Sequence, residues 1–188
     1  MKRIIVALLW ALFAAVAAAQ GSDVEGSRTM KTLVVYYSLT GKTEVVAQAL
    51  ARELGADLRR VEDAEPHAAS WWFMISGSMA ALRGVQAPIK PMDTGLQGYQ
   101  RVFVGSPVWA GSPSTPINTF MAQADFRGKD VIPFMTMGGK DAAGALQKMS
   151  ERIEKKGGRI AGSFALSSGE ATNEALAAQV REIAQRYR

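Results

Sequence analysis

From Lys31 onward the chain alternates between two periodicities, and this alternation restricts its fold more than any other feature. Short runs rich in β-branched and aromatic residues fall at 33–37, 101–105, 131–137 and 160–166, with a weaker run at 57–61. Between them lie apolar stripes at helical spacing. Val45, Val46, Ala49, Leu50 and Leu54 form one, and Ala142, Leu146, Met149 and Ile153 a second that stops at Gly157 and Gly158. Leu176, Val180, Ile183, Ala184 and Tyr187 form a third. Strand and helix in strict alternation imply parallel strands joined by right-handed crossovers, with helices on both faces of one sheet. The nearly continuous apolar runs suit strands buried on both sides. Pro133 is the exception, because proline cannot donate to a ladder and belongs at a strand start or edge.

Composition narrows the chemistry. With 48% hydrophobic and 21% charged residues the chain can build a globular core, so disorder is excluded as its default state. It has no Cys, which removes disulfides, thiolate metal sites and a redox-active Cys pair, so any redox chemistry requires a bound cofactor. His67 is the single histidine, which argues against a histidine metal cluster. Residues 1–19 read as a signal peptide. Lys2 and Arg3 precede an apolar run from Ile4 to Ala19, shorter than the ~20 residues that a membrane span requires, with small residues at Ala17 and Ala19. Residues 20–30 are polar and contain Gly and Ser, as a tether does, and 31–188 form the domain. This organisation predicts export to the periplasm without stable membrane insertion after cleavage. An uncleaved anchor, or a cytoplasmic protein starting at Met30, are the competing readings. Without Lys2 and Arg3, 20 basic residues face 17 acidic ones, a net +3 in place of +5, and no basic run interleaved with aromatics suggests nucleic-acid binding.

In open parallel sheets ligands sit beyond the carboxyl ends of the strands, where strand order reverses. The loop after the first strand, Ser38-Leu39-Thr40-Gly41-Lys42-Thr43, gathers three hydroxyls, a flexible glycine and the free amides of a helical first turn, which is what a phosphate group needs. Gly41-Lys42-Thr43 is not the end of a nucleoside-triphosphate loop, since Tyr36 stands where that motif needs glycine. The loop after the run 101–105 sets Trp109 between Ser106-Pro107 and Ser112-Pro113, placing a broad aromatic face at a strand end. After 131–137, Gly138-Gly139 would let backbone approach a flat heterocycle.

Taken together, Tyr-Ser-x-Thr-Gly-x-Thr at 37–43, Gly-Ser-Pro-Val-Trp at 105–109, and Gly128-Lys129 leading through Pro133-Phe134 to Thr136-x-Gly138-Gly139 resemble the flavodoxin family in order and spacing over about residues 31–188. The resemblance implies an α/β flavodoxin-like three-layer sandwich, a five-stranded parallel sheet of order 2-1-3-4-5, with flavin mononucleotide (FMN) as cofactor. It implies that Ser38, Thr40, Gly41, Lys42 and Thr43 cradle the phosphate. Pro107, Val108, Trp109 and Ala110 would wrap one edge and face of the ring, and Gly138 and Gly139 line the other side. Pro133 also matches the family pattern. The expected function is electron transfer through non-covalently bound FMN, with a redox partner protein, in a monomer or dimer. An NAD(P)H:quinone reductase acting on a small quinone or nicotinamide substrate is one alternative, and a flavin-free interaction module another.

Two departures from the pattern bear on partners. Electron-shuttling flavodoxins are usually acidic whereas this chain is basic, and the fourth-strand loop lacks an aromatic to cover the outer ring face. The stretch 70–84, with Trp71, Trp72, Phe73, Met74 and Ile75 in succession, reads as a core helix, with a lid or a dimer patch as alternatives, and His67 beside Pro66 as a loop residue.

Overall fold

The computed structural model describes residues 30–64, 77, 79–139 and 141–188. The segments expected to be a signal peptide and, but for Met30, a tether, together with His67 and the residues from Trp71 to Ile75, lie outside them. Of the stretch 70–84, residues 77 and 79–82 are helical.

The elements in chain order are β1 (Thr32–Tyr36), α1 (Lys42–Leu54), β2 (Asp57–Arg60), β3 (Arg101–Trp109), β4 (Ser112–Pro113), α2 (Thr115–Gln123), β5 (Asp130–Met137), α3 (Ala143–Lys155), β6 (Arg159–Ile160), β7 (Phe164–Ser167) and α4 (Asn173–Ala184), closed by a 3-10 turn over Gln185–Tyr187. The sheet runs β2-β1-β3-β5-β6, with β7 also paired to β5 and every one of these pairings parallel. Counted by position this is the expected order 2-1-3-4-5. β1, the interior of β5 and the Val102–Ser106 stretch of β3 are buried, as their continuous apolar runs require, whereas β2 at the edge is largely exposed.

Alternate side chains of these strands enter two separate cores. Leu33, Val35, Val102, Val104, Val131 and Met135 pack against α2 and α3 through Ile117, Phe120, Met149 and Ile153. Val34, Phe103, Ile132 and Phe134 pack against α1 and α4 through Val46, Leu50, Leu176 and Val180. The result is three layers, with α1, α3 and α4 presenting the stripes read from their sequences. α2 had no such stripe. Thr115 through Met121 are buried on every side, so no amphipathic periodicity marks the helix, and Pro116 occupies its first turn, where the missing N–H does no harm.

Two differences from the sequence reading share one cause. The fifth strand, expected as one run over 160–166, is two segments, β6 and β7, separated at 161–163. Gly162 has φ +147°, and a Cβ there would stand 2.6 Å from the Tyr187 hydroxyl. On β5, the carbonyls of Lys129 and Val131 accept from Arg159 and Ala161 on the outer side, so residue 133, two further on, turns its nitrogen to that side as well. The missing N–H of Pro133 therefore faces the gap between β6 and β7. A proline is tolerated inside a buried strand because its neighbour is interrupted opposite it.

Candidate functional site

The loops leaving β1, β3, β5 and β7 meet at the carboxyl edge of the sheet around a cleft of about 230 Å³. Leu39, Thr40, Lys42 and Thr43 line one side, and Pro107, Val108 and Trp109 the second. Thr136, Met137, Gly138 and Ser168 close the third. Among the described residues no carboxylate belongs to this lining.

α1 opens on Gly41, whose φ of +87° is left-handed and disfavours any residue with a Cβ. No side chain caps the helix, so its first amides are left to solvent or ligand, whereas Thr172 caps α4 by accepting from the Ala175 amide. Thr40 is exposed, and Thr43 is buried with its hydroxyl 2.7 Å from that of Thr136. Two hydroxyls hold two protons and their mutual bond uses one, so the pair keeps a donor for a further acceptor. The Lys42 ammonium reaches away to the Ala171 carbonyl at 2.8 Å, joining the starts of α1 and α4 and leaving its backbone amide to the loop. Glu44, the acid of the first turn, is held by Arg60 at 3.2 Å and by the Tyr36 hydroxyl at 3.0 Å. Burial, reinforced by this carboxylate, pushes the Tyr36 phenol up to about 12.

Trp109 is half-buried and stands at the end of β3, which turns back through Ala110-Gly111 into β4 as a hairpin instead of leaving as an open loop. Tyr37 meets the indole edge-on, with centroids 5.7 Å apart and planes at 89°. The Tyr37 hydroxyl is itself fixed by Asp63 at 2.7 Å, and burial first, then this bond, raises its pKa. From the other side the Lys148 ammonium of α3 donates to the Gly111 carbonyl and approaches the Ser112 hydroxyl, both at 2.9 Å. Ala110 at the hairpin tip has φ +45°, a conformation that non-glycine residues rarely adopt.

Of the residues singled out in the sequence, Thr40, Lys42, Thr43, Pro107, Val108, Trp109 and Gly138 are brought together in the lining. Ser38, Gly41, Ala110 and Gly139 stand beside it. Ser38 belongs to an adjoining pocket that shares Leu39, where its hydroxyl is buried without a hydrogen-bond partner among the described residues. Leu39, Thr136, Met137 and Ser168 are lining residues that the sequence reading assigned no role. Ser168 sits on the loop after β7, placed by its amide and hydroxyl bonds to the Met137 carbonyl. A buried Thr at a strand's end, two residues before a Gly-Gly pair, is the one local signal that pointed to Thr136.

Residues 31–183 match the family model of the flavodoxins. Among solved structures, a candidate flavoprotein from Bacteroides uniformis is similar at TM-score 0.70 and 25% identity, over 83% of this chain and 98% of its own. A flavoprotein from Lactobacillus acidophilus, solved in complex with FMN, is similar at TM-score 0.61 and 26% identity, over 72% of this chain and 93% of its own. Flavodoxin 2 from Bacillus cereus, in its oxidised form, shares the fold at TM-score 0.54 and 17% identity, over 84% and 97% of the two chains. No curated protein matches the sequence.

Proposed function

Since this chain belongs to the flavodoxin family, we propose that it binds FMN non-covalently in the cleft above the sheet and passes electrons through it. The observation that carries this reading is the polarity of that cleft. Hydroxyls and uncapped amides gather at one end, a half-buried indole stands at the other, and among the described residues no carboxylate lies between them. The residues fit the group. The Ser38 hydroxyl is buried without a partner, a deficit of about 1–3 kcal/mol that a phosphate oxygen entering the loop would relieve. Gly41 leaves open space where a Cβ would project, so the loop can close on an ester. The FMN-bound relative from Lactobacillus supports the same cofactor.

FMN supplies reversible one- and two-electron chemistry when bound. The chain's own part is placement. Thr40, the Thr43–Thr136 pair and the first amides of α1 receive the phosphate, and the helix dipole favours its charge. Trp109, held edge-on by Tyr37, offers a face against which the ring lies, while Pro107 and Val108 exclude water from its edge. Gly138 and Gly139 are exposed, which leaves the opposite face accessible to an electron donor or acceptor. The basic charge favours an acidic partner protein. The leader read at residues 1–19 would carry the protein to the periplasm.

Titration of purified protein with FMN should give saturable quenching of flavin fluorescence at one cofactor per chain; absence of binding leaves the flavin-free interaction module. The open ring face also favours a second reading, an NAD(P)H:quinone reductase. Steady NADPH oxidation with a quinone and no added reductase would select it over the carrier. Fractionation with N-terminal sequencing of the mature chain tests export.

A further inference from the structure

A second cavity, of about 380 Å³, opens between α2, α3 and residues 83–86 and shares no residue with the flavin cleft. Its charged lining residues are Arg83, Arg152, Lys155 and Lys156, and among the described residues no carboxylate accompanies them. Several cations elsewhere sit against acids, as do Arg59 with Asp93, Lys90 with Glu62 and Arg159 with Asp130, while others such as Lys42 and Lys148 are held by carbonyls. Among the described residues none of the four cavity cations has an acid within ion-pair distance.

Arg152 is the most constrained of them. It is half-buried, and loss of solvent draws its pKa below the usual arginine value with no acid opposing the shift. One terminal nitrogen donates to the Asn118 side-chain oxygen. That oxygen is aimed at it because the Asn118 amide group donates to the Val85 carbonyl at 3.1 Å. The other terminal nitrogen lies against Gly84, where a Cβ would stand 2.9 Å away, so the backbone is shaped around the guanidinium. Lys156 is steered to the same wall by its bond to the Ala122 carbonyl. A guanidinium fixed on one side by neutral partners keeps free N–H groups for an oxyanion, and a half-buried charge is costly until one arrives.

We propose that this cavity binds a phosphate-bearing ligand, with the guanidinium of Arg152 receiving the phosphoryl oxygens and Arg83, Lys155 and Lys156 balancing their charge. Several cations around one planar fork match a phosphate better than a single carboxylate, which one arginine would satisfy. The phosphoryl group could belong to a soluble ester or to a phospholipid headgroup.

The test uses protein saturated with FMN, so that added phosphate does not compete for the loop after β1, at low ionic strength. Pyrophosphate is titrated while backbone amide NMR signals are followed, and phosphatidylglycerol vesicles are assayed by co-sedimentation against phosphatidylcholine vesicles. The expected result is saturable movement of the Gly84, Gln86, Asn118 and Arg152 amides. Arg152→Gln should weaken binding about tenfold or more, as loss of a charge-assisted contact does, while Lys31→Gln, outside the cavity lining and paired with Asp57, leaves it unchanged. Vesicle binding that pyrophosphate displaces identifies a lipid source; pyrophosphate binding without vesicle binding identifies a soluble one. If Arg152→Gln melts early, the double variant Lys155→Gln/Lys156→Gln takes its place. Shifts that never saturate, that spread over all lysine-bearing surfaces, or that persist undiminished in the variants would overturn the proposal.

Discussion

Ser38 and Trp109 act on the proposed cofactor through different physics, and single substitutions separate them. The Ser38 hydroxyl has no partner among the described residues, so Ser38→Ala should leave the melting temperature of the cofactor-free protein unchanged or slightly higher. The same substitution should weaken FMN binding by about tenfold or more, because a hydrogen bond to a charged group contributes about 1.5–3 kcal/mol. Thermal melts of the apoprotein beside fluorescence titrations check both halves, and equal affinity would remove Ser38 from the phosphate loop. Trp109 contributes a face. Trp109→Ala should cost about 0.5–1.5 kcal/mol of FMN affinity, a two- to tenfold loss, as aromatic pairs do beyond their buried area. Lys42 illustrates what residue type alone leaves open, since its ammonium is turned to Ala171 and α4.

At the scale of elements, the hairpin of β3 and β4 is the part that presents the indole, and α3 clamps it through Lys148. Lys148→Met should lower FMN affinity about two- to tenfold by freeing the turn, in keeping with the loss of one or two ordinary hydrogen bonds. Combined with Trp109→Ala it should add little further loss, because it acts through the indole; full additivity in a double-mutant cycle would refute the positioning role. The pairing of β3 with β5 depends on a close approach in which Gly105 leaves room for the Phe134 ring, 2.1 Å from where a Cβ would be. Gly105→Ala should therefore destabilise the fold by about 1–3 kcal/mol through overpacking, a fall in melting temperature of about 2–12 °C for a domain of this size.

For the molecule as a whole, pH acts through ion pairs spread over its surface and through tyrosines in its interior. Hydrogen bonds from Arg127 hold the Asp125 carboxyl down at about 2, the Tyr99 hydroxyl together with Lys31 lowers Asp57, and Lys90 lowers Glu62. Carboxyls whose pKa is depressed by folding stabilise the folded state above their ordinary values of 3.8 to 4.5, and this is lost as pH falls toward about 2. Tyr36 and Tyr37 are raised, chiefly by burial, so their contribution is intact below 10 and is lost as pH climbs through about 12 for Tyr36. Melting temperature against pH should decline in both windows, with phenolate absorbance marking the alkaline one. High salt should flatten the acid limb, since those carboxyls are exposed and screened. A pH-independent melting temperature between 4 and 2 would contradict this assignment of the pairs.

The sheet order was implied only by the family resemblance, whereas the alternation of strands and helices and the hydroxyl-rich loop after β1 were legible in the sequence because each is a local signal. A run of β-branched residues, a stripe at helical spacing, and hydroxyls before a helix depend on near neighbours. α2 was not, because a helix buried on all sides carries no polar face to give it a period. The break between β6 and β7 was hidden too, since Gly162 gains its meaning from Tyr187 in the closing 3-10 turn and from Pro133 across the ladder. The tertiary structure alone decided which hydroxyls face one another, where Lys42 and Lys148 reach, and that Ser168 joins the cleft. These are contacts between residues from 31 to more than 120 positions apart, so no short window of sequence contains both partners.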